Sequence, residues 1–523
     1  MSAVAEGLPT ARDVEPEPAR PVPLWTAVLA SAAAGGVLVL AFPPYDLWWL
    51  APLAVAGVLG AVEIGTRTRR AVPRGALLGS VFGLVFFGLL TPWLRVIGPD
   101  AWLLVVGLSA AFTALFGVGA ALLLRLPGWP FWVACWWVGV EALRGRVPFG
   151  GFPWGRLGHS QADAPTAAWV SVGGVPLLGF LLVLTGALVL VAVRAAVRRR
   201  VLRASLAAGA AAVIVLSGLA IPLTTNGRQV TVAIVQGNVP RTGMDAFGQR
   251  EAVLSAHLQA THQLADDVRA GRVAAPDVVI WPENASDIDP ALDAEAFAAI
   301  DAAVKDVGVP VLVGMVIEVD GGERVANQGT IWDPVTGPGA SYVKQNLVPF
   351  GEYVPYRSIA QKFISRLDRI PRDFVAGDAP GVLDLGPVTV ADVICFDVSY
   401  DAAVRDAVAG GGELITVQTN NATYGRTGQV EQQWAMSRLR AVEHGRSVLV
   451  ASTSGISGVV APDGSVQAKT PEFVQQVVVE PVVARTDETL ATRLGAWPEL
   501  LLSLLGLGAV VLAAVRRRGR IAT

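Results

Sequence analysis

A run of about twenty apolar residues is narrowly constrained, because a helix of that length closes its own backbone hydrogen bonds and spans a hydrocarbon core ~30 Å thick. Eight such runs occur here, near 24–42, 48–64, 76–96, 102–124, 129–144, 168–193, 203–223 and 495–515. They predict a membrane α-helical bundle of about eight spans. The runs at 48–64 and 129–144 are short and hold tryptophans, which also suit an interfacial position. A composition 53% hydrophobic and 16% charged agrees with a membrane protein. The formal net charge of −2 points to neither nucleic acid nor a globally acidic partner.

The basic residues orient the spans. Arg67, Arg69, Arg70 and Arg74 follow the second run, Arg125 the fourth, Arg194, Arg198, Arg199, Arg200 and Arg203 the sixth, and Arg516, Arg517, Arg518 and Arg520 the eighth. If the spans simply alternate, all these clusters share one side, and the positive-inside bias makes that side cytoplasmic. Both termini are then cytoplasmic. Residues 1–23, rich in Pro, Glu, Ala and Arg, read as a disordered cytoplasmic tail rather than a signal peptide. Residues 24–223 form a seven-span domain, 224–490 an extracytoplasmic domain, 491–515 a last span and 516–523 a basic tail. Arg144 and Arg146 fall on the outer side against the bias. Together with Arg156 and His159 they are candidates for contact with phosphate or lipid headgroups.

Between 228 and 485 short apolar runs alternate with amphipathic ones, as in an α/β domain whose sheets are covered by helices. Strands are expected at 229–236, 277–280, 309–316, 329–333, 388–394, 414–419, 447–452, 458–461 and 474–479. Helices are expected near 247–269, 291–306, 399–409 and 429–444.

Only two cysteines are present. Cys135 lies inside an apolar run, so a disulfide is not expected. Cys395 ends the strand-type run Val388–Ile394 and is followed by the polar turn Asp397–Ser399, a place where nucleophiles are presented. An unpaired thiol on the oxidising side of a membrane calls for a reason such as catalysis, although most free cysteines are small buried hydrophobes. The histidines His159, His257, His262 and His444 are scattered, and no metal is expected.

Three further segments carry chemistry. Asp277–Asn284 is a buried strand delivering Glu283 at its end, where partial desolvation raises a carboxyl toward the range of a general base. Tyr342–Arg357 places Lys344 among β-branched and aromatic residues, where a buried ammonium needs a carboxylate or an anionic intermediate. Gln418–Gly425 is a polar loop after an apolar strand, with Asn421 on a possible site rim. Taken singly, each segment also fits an ordinary turn, strand or loop. Taken together, a carboxylate, an ammonium and a thiol suit acyl transfer through a thioester: the base takes the thiol proton, the thiolate attacks a carbonyl, and the ammonium stabilises the oxyanion.

At Trp281-Pro282-Glu283, Tyr342-Val343-Lys344 with Leu347–Glu352, and Ile394–Asp397, the chain resembles the nitrilase superfamily. It looks most like the integral membrane branch, the apolipoprotein N-acyltransferase family. That likeness extends to Phe42–Tyr45, to Phe152–Gln161 and to Asn327, and covers the chain from residue 24 onward. It implies an αββα sandwich with Glu283 as base, Lys344 as oxyanion stabiliser and Cys395 as nucleophile, supported by Glu352, Asp397, Asn327 and Phe396. Many relatives carry Tyr-Glu after the cysteine, where this chain has Phe396-Asp397. The resemblance further implies transfer of an acyl chain from a phospholipid to the diacylglyceryl cysteine of an apolipoprotein, in a bacterial cell membrane, by a monomer without cofactor. Phe350, Tyr353 and Tyr356, on an apolar-aromatic arm that continues to Phe363 and Ile364, and Trp154 are the expected substrate contacts, together with Asn421. The competing readings are a membrane-tethered amidase using the same three residues and a non-enzymatic receptor built on a degenerate domain of this kind.

Overall fold

The computed structural model of the chain describes residues 23–68, 70–239, 250–360 and 372–522. Most of the tail expected at 1–23, Arg69, and Phe363 and Ile364 of the arm fall outside the described residues.

Each apolar run forms a helix. In order these are α1 (Leu24–Val39), α2 (Leu50–Gly65), α3 (Ala71–Leu90), α4 (Pro99–Leu123), α5 (Trp129–Arg144), α6 (Val170–Val197) and α7 (Val201–Ser217). The eighth follows the α/β domain, over Trp497–Ala522. Among the described residues five helical segments are long and apolar enough to cross a bilayer, at Ala71–Leu90, Pro99–Leu123, Pro165–Val197, Val201–Ala220 and Trp497–Arg518. α1, α2 and α5 have 16 residues each. At about 1.5 Å per residue that is short of a full hydrocarbon core. All three nevertheless contribute to one apolar core with α3, α4 and α6, through Leu38, Val55, Phe82, Phe116, Trp137 and Leu182.

α3 and α4 are held closest by small residues. Gly75, Gly79 and Gly83 recur every fourth position and face Gly117 and Thr113 of α4, and a Cβ on Gly79 would lie 2.1 Å from the Thr113 carbonyl oxygen. Apolar burial against lipid drives no association, so close backbone contact of this kind is what pairs the helices.

The α/β domain comprises β1 (Arg228–Gln236), α8 (Arg250–Arg269), β2 (Val278–Ile280), α9 (Ala294–Val307), β3 (Val311–Val319), β4 (Arg324–Asp333), β5 (Gly337–Val343) and the short α10 (Arg357–Ala360). It continues through β6 (Val382–Asp384), β7 (Thr389–Ile394), α11 (Asp401–Ala409), β8 (Leu414–Thr419), α12 (Gln429–His444), β9 (Val448–Ser452), β10 (Gly458–Val460), β11 (Val466–Lys469) and β12 (Gln476–Ala484). A short α13 (Leu490–Leu494) then leads into α14 (Trp497–Ala522).

Two six-stranded sheets result, ordered β12-β1-β2-β3-β4-β5 and β11-β10-β9-β8-β7-β6. In each the three central strands are parallel and the flanking ones antiparallel. Alternation along each strand sorts the side chains. Val232, Ile280, Val390, Ile394 and Leu449 meet between the sheets. Ala233, Val279 and Val313 pack outward under Leu264 of α8 and Ile300 of α9. Val393, Val417 and Val450 pack outward under Val404 of α11 and Val430 and Ala441 of α12. The layering is therefore αββα, as expected.

α12 packs against both halves of the molecule. All but two of its 16 residues are buried, because one face covers the second sheet while Leu439 and Val442 join the apolar core of the membrane helices. Expected strands are displaced mainly at the sheet margins: β5, β6 and β11, none of them anticipated, are all edge strands.

Replacing Gly79 by valine forces α3 and α4 apart without touching the α/β domain. Gly79→Val is expected to lower the thermal unfolding midpoint in detergent by an amount equivalent to about 1–3 kcal/mol. A midpoint equal to wild type would show that the contact is slack.

Candidate active site

The site lies where strand ends from both sheets converge. β2 ends at Ile280, and Trp281-Pro282 carry the chain to Glu283, which is buried. β5 ends at Val343, and the next residue, Lys344, is 1% exposed with its backbone N–H on the Asn327 carbonyl at 2.9 Å. β7 ends at Ile394, and Cys395 opens a tight helical turn over Cys395–Ser399. The φ of Cys395 is +52°, a left-handed conformation that is strained for a residue with a Cβ and recurs where a nucleophile is lifted out of a strand.

An ammonium buried to this extent needs compensating charge. Lys344 Nζ donates to Glu352 Oε1 at 2.7 Å and to Glu283 Oε1 at 3.3 Å. Asn327 Nδ2 bridges the same two carboxylates, at 2.6 Å to Glu283 Oε1 and 3.4 Å to Glu352 Oε1. The Asn420 backbone N–H holds Glu283 Oε2 at 2.7 Å, and the Val348 N–H holds Glu352 Oε2 at 2.7 Å. Glu352 thus hydrogen-bonds to Lys344, and Asn327 to both carboxylates.

Burial raises the Glu283 carboxyl above its ordinary value, opposed by Lys344 and reinforced by Glu352. Burial works against the charge of Lys344, yet Glu352 and Glu283 hold its pKa well above normal. Burial and the charge of Glu283 push the Cys395 thiol up to about 12, against the pull of Lys344. The resting site therefore contains a protonated thiol and a cationic lysine beside a carboxyl whose acidity burial weakens.

Asp397 is fully buried and accepts from Tyr342 Oη at 2.9 Å, from the Asn346 N–H and Nδ2 at 2.9 and 2.8 Å, and from the Ile394 N–H at 3.2 Å. Four donors on one carboxylate tie the lysine segment to the cysteine turn, so the shorter acid after Phe396 is fully engaged. Phe396 stacks on Trp154 and Phe152 of the membrane half, with ring centroids 6.1 and 6.3 Å apart.

The expected substrate contacts divide. Trp154 is buried, with Nε1 on Gln432 Oε1 at 2.7 Å, and forms a wall behind Phe396. Asn421 is also buried, bonded to Gln429, Gln433 and Ser452. Its side chain supports the loop rather than lining the site. Phe350 and Tyr353 are half-buried and close a turn through a 2.7 Å backbone bond. Tyr356 is 73% exposed, its ring 5.9 Å from Phe149 of the membrane half.

Of the basic residues expected on the outer side, Arg144, Arg156 and His159 are buried, whereas Arg146 is exposed. Arg144 Nη1 clamps the carbonyls of Phe152 and Trp154, both at 2.6 Å. Arg156 is buried against Asp401 at 2.7 Å and Glu499 at 3.6 Å, and Arg146 pairs with Glu499. His159 is buried as well. Sequence reasoning missed the glutamines of α12. Gln432 anchors Trp93 and Trp154, and Gln433 Nε2 donates to the Cys395 carbonyl at 3.1 Å. Two adjacent glutamines at the head of a helix flanked by apolar segments were the available signal.

Two facing sheets with Glu283, Lys344 and Cys395 at their strand ends define a carbon-nitrogen hydrolase domain of the nitrilase kind. Residues 231–489 match the family model described as Carbon-nitrogen hydrolase, and residues 34–188 match the Apolipoprotein N-acyltransferase N-terminal domain. An apolipoprotein N-acyltransferase of Mycolicibacterium smegmatis is 38% identical, with 99% of this chain and 93% of that one aligned. One from Azotobacter vinelandii is 31% identical over 95% and 96%. The chain belongs to the apolipoprotein N-acyltransferase family. Among solved structures, a mutant of the Nesterenkonia AN1 amidase from the nitrilase superfamily aligns at 19% identity and a TM-score of 0.38, over 52% of this chain and 96% of that one.

A base must be ionised to accept a proton, so with Glu283 in the role of base that the resemblance implies, acylation of Cys395 should fall as pH drops through the raised Glu283 pKa, with its acid limb above 4.5. Glu283→Gln should remove that limb and slow single-turnover acylation by about 10²–10⁴-fold. Wild-type rates in this variant would make the carboxylate structural.

Proposed function

We propose that this membrane acyltransferase N-acylates apolipoproteins, moving a fatty acyl chain from a phospholipid to the α-amino group of an S-diacylglyceryl cysteine by way of a thioester on Cys395. The observation that carries this reading is the buried Glu283–Lys344–Glu352 cluster converging on the strained Cys395 turn, which is stacked directly on the Phe152–Trp154 loop of the membrane helices.

In the first half-reaction Glu283 takes the Sγ proton as sulfur attacks the ester carbonyl. Lys344 stabilises the oxyanion, an interaction of the kind worth about 3–4 kcal/mol of barrier. Collapse of the tetrahedral intermediate expels the lysophospholipid alkoxide, which recovers the proton from Glu283. In the second half-reaction the acceptor amine attacks the thioester, Glu283 removes its proton, and the thiolate leaves to be reprotonated. The two acyl substrates visit one sulfur in turn, which requires ping-pong kinetics. A guanidinium is planar and larger than the ammonium it would replace, so Lys344→Arg should fail although charge is kept.

The eight helices are read as spans, with both termini cytoplasmic, residues 224–490 extracytoplasmic and the arm Val348–Tyr356 covering the site at the bilayer surface. There it admits acyl chains and restricts water, which would otherwise hydrolyse the thioester. The hydrolase alternative is not favoured, since relatives aligned along almost the whole chain are named acyltransferases. The receptor alternative is disfavoured by an intact Glu283, Lys344 and Cys395.

Membranes given labelled phospholipid should yield a hydroxylamine-sensitive acyl adduct and lysophospholipid, and Cys395→Ala should abolish both. Persistence of the adduct in that variant would end the assignment. Free fatty acid as the main product with acceptor present would favour hydrolysis instead. Protease added to intact spheroplasts should cut within 224–490; protection of that segment would reverse the topology.

A further inference from the structure

Most side chains between the two sheets are apolar, but Asp392 of β7 and Gln418 of β8 are both fully buried there. Their strands run in parallel register, with Asp392 opposite Thr416 and Ile394 opposite Gln418, so Asp392 and Gln418 are diagonal neighbours on one face. Across the gap Gly329 of β4 leaves the space they use: a Cβ there would lie 2.5 Å from Asp392 Oδ2 and 2.5 Å from Gln418 Oε1.

Half of each polar group is satisfied. Asp392 Oδ1 accepts from Thr416 Oγ1 at 2.6 Å, and Gln418 Nε2 donates to the Trp281 carbonyl at 2.6 Å. The remaining oxygens, Asp392 Oδ2 and Gln418 Oε1, have no protein donor, although both crowd the same point. Turning the amide over does not help, because its oxygen would then face the Trp281 carbonyl, another acceptor. Two acceptors in such a place need a proton between them. Leaving both unmade would carry the full desolvation penalty of two buried acceptors.

We infer that Asp392 is a neutral carboxylic acid whose hydroxyl donates to Gln418 Oε1, completing a bridge from Thr416 through Asp392 and Gln418 to Trp281. The bridge crosses from one sheet to the other. It fixes the strand that ends on Cys395, three residues beyond Asp392, relative to the segment that delivers Glu283, two residues beyond Trp281. Asp392 is therefore a positioning residue, and its effect on acyl transfer rests on the roles proposed above for Cys395 and Glu283. Burial independently lifts its carboxyl to about 7, with Thr416 opposing and Asp397 reinforcing.

Asp392→Asn replaces the hydroxyl donor by an amide N–H of the same reach, and should form the acyl-thioester within about twofold of the wild-type rate. Asp392→Leu and Gln418→Leu break the bridge. They should slow single-turnover acylation at saturating phospholipid by about tenfold or more, with little change in KM. Infrared difference spectra of full-length wild-type protein against Asp392→Asn, at mildly acid pH, should contain the C=O band of a protonated carboxylic acid. Absence of that band, Asp392→Asn as slow as Asp392→Leu, or Gln418→Leu at the wild-type rate would each overturn the inference. Failure of the catalytic reading itself has a separate signature, an acyl adduct that survives Cys395→Ala, and leaves the infrared result unaffected.

Discussion

The arrangement depends on placing one ammonium where water cannot reach it. Lys344 is stable inside the sandwich only because Glu283 and Glu352 flank it, and those carboxylates are stable only because Asn327 and the backbone N–H groups of Asn420 and Val348 complete their hydrogen bonding. Removing one member would strand the others without compensation, which in buried ion pairs costs about 3–5 kcal/mol. The lysine segment, the glutamate segment and the loop after β8 are consequently locked together before any substrate arrives, as catalysis through pre-aimed charge requires.

Around that cluster the sandwich and the membrane helices share structure rather than merely touching. α12 lies under the second sheet and on top of the helical core, and its Gln432 and Gln433 reach the aromatic wall on one side and the Cys395 carbonyl on the other. Phe396 belongs to the same wall. The Cys395 turn therefore has one flank of protein sheet and one flank of membrane-helix loop.

Much of this was legible in the sequence because the relevant signals are local. Apolar length gives the helices, period-two alternation gives the central strands, a polar residue at or just beyond the end of an apolar strand marks Glu283 and Cys395, and a charge among β-branched and aromatic neighbours marks Lys344. Three edge strands were not legible: Gly337–Val343 has little apolar alternation, Val382–Asp384 has only three residues, and Val466–Lys469 is largely exposed, since an edge faces less core. Nor were the partners of Arg144, Arg146 and Arg156. A charge at a membrane surface and one paired with Asp401 or Glu499 look alike until the chain is folded, because for Arg146 and Arg156 those partners lie hundreds of residues away, while Arg144 turns to backbone carbonyls that carry no side-chain signal. Asn421 misled for the related reason that a polar loop residue may face inward as well as outward.

Arg440 of α12 joins the Val398 carbonyl, just past Cys395, to Asp401, and Asp401 in turn holds Arg156, whose other partner is Glu499 at the start of α14. That linkage sets an order of assembly. A ribosome delivers the segments bearing Arg156, Cys395 and Arg440 well before residue 499, so the sandwich can fold while its far anchor is still unsynthesised. Only when the final helix is made can that ion pair close, and a chain interrupted before that point would carry Glu283, Lys344 and Cys395 without the clasp that ties them to the last helix.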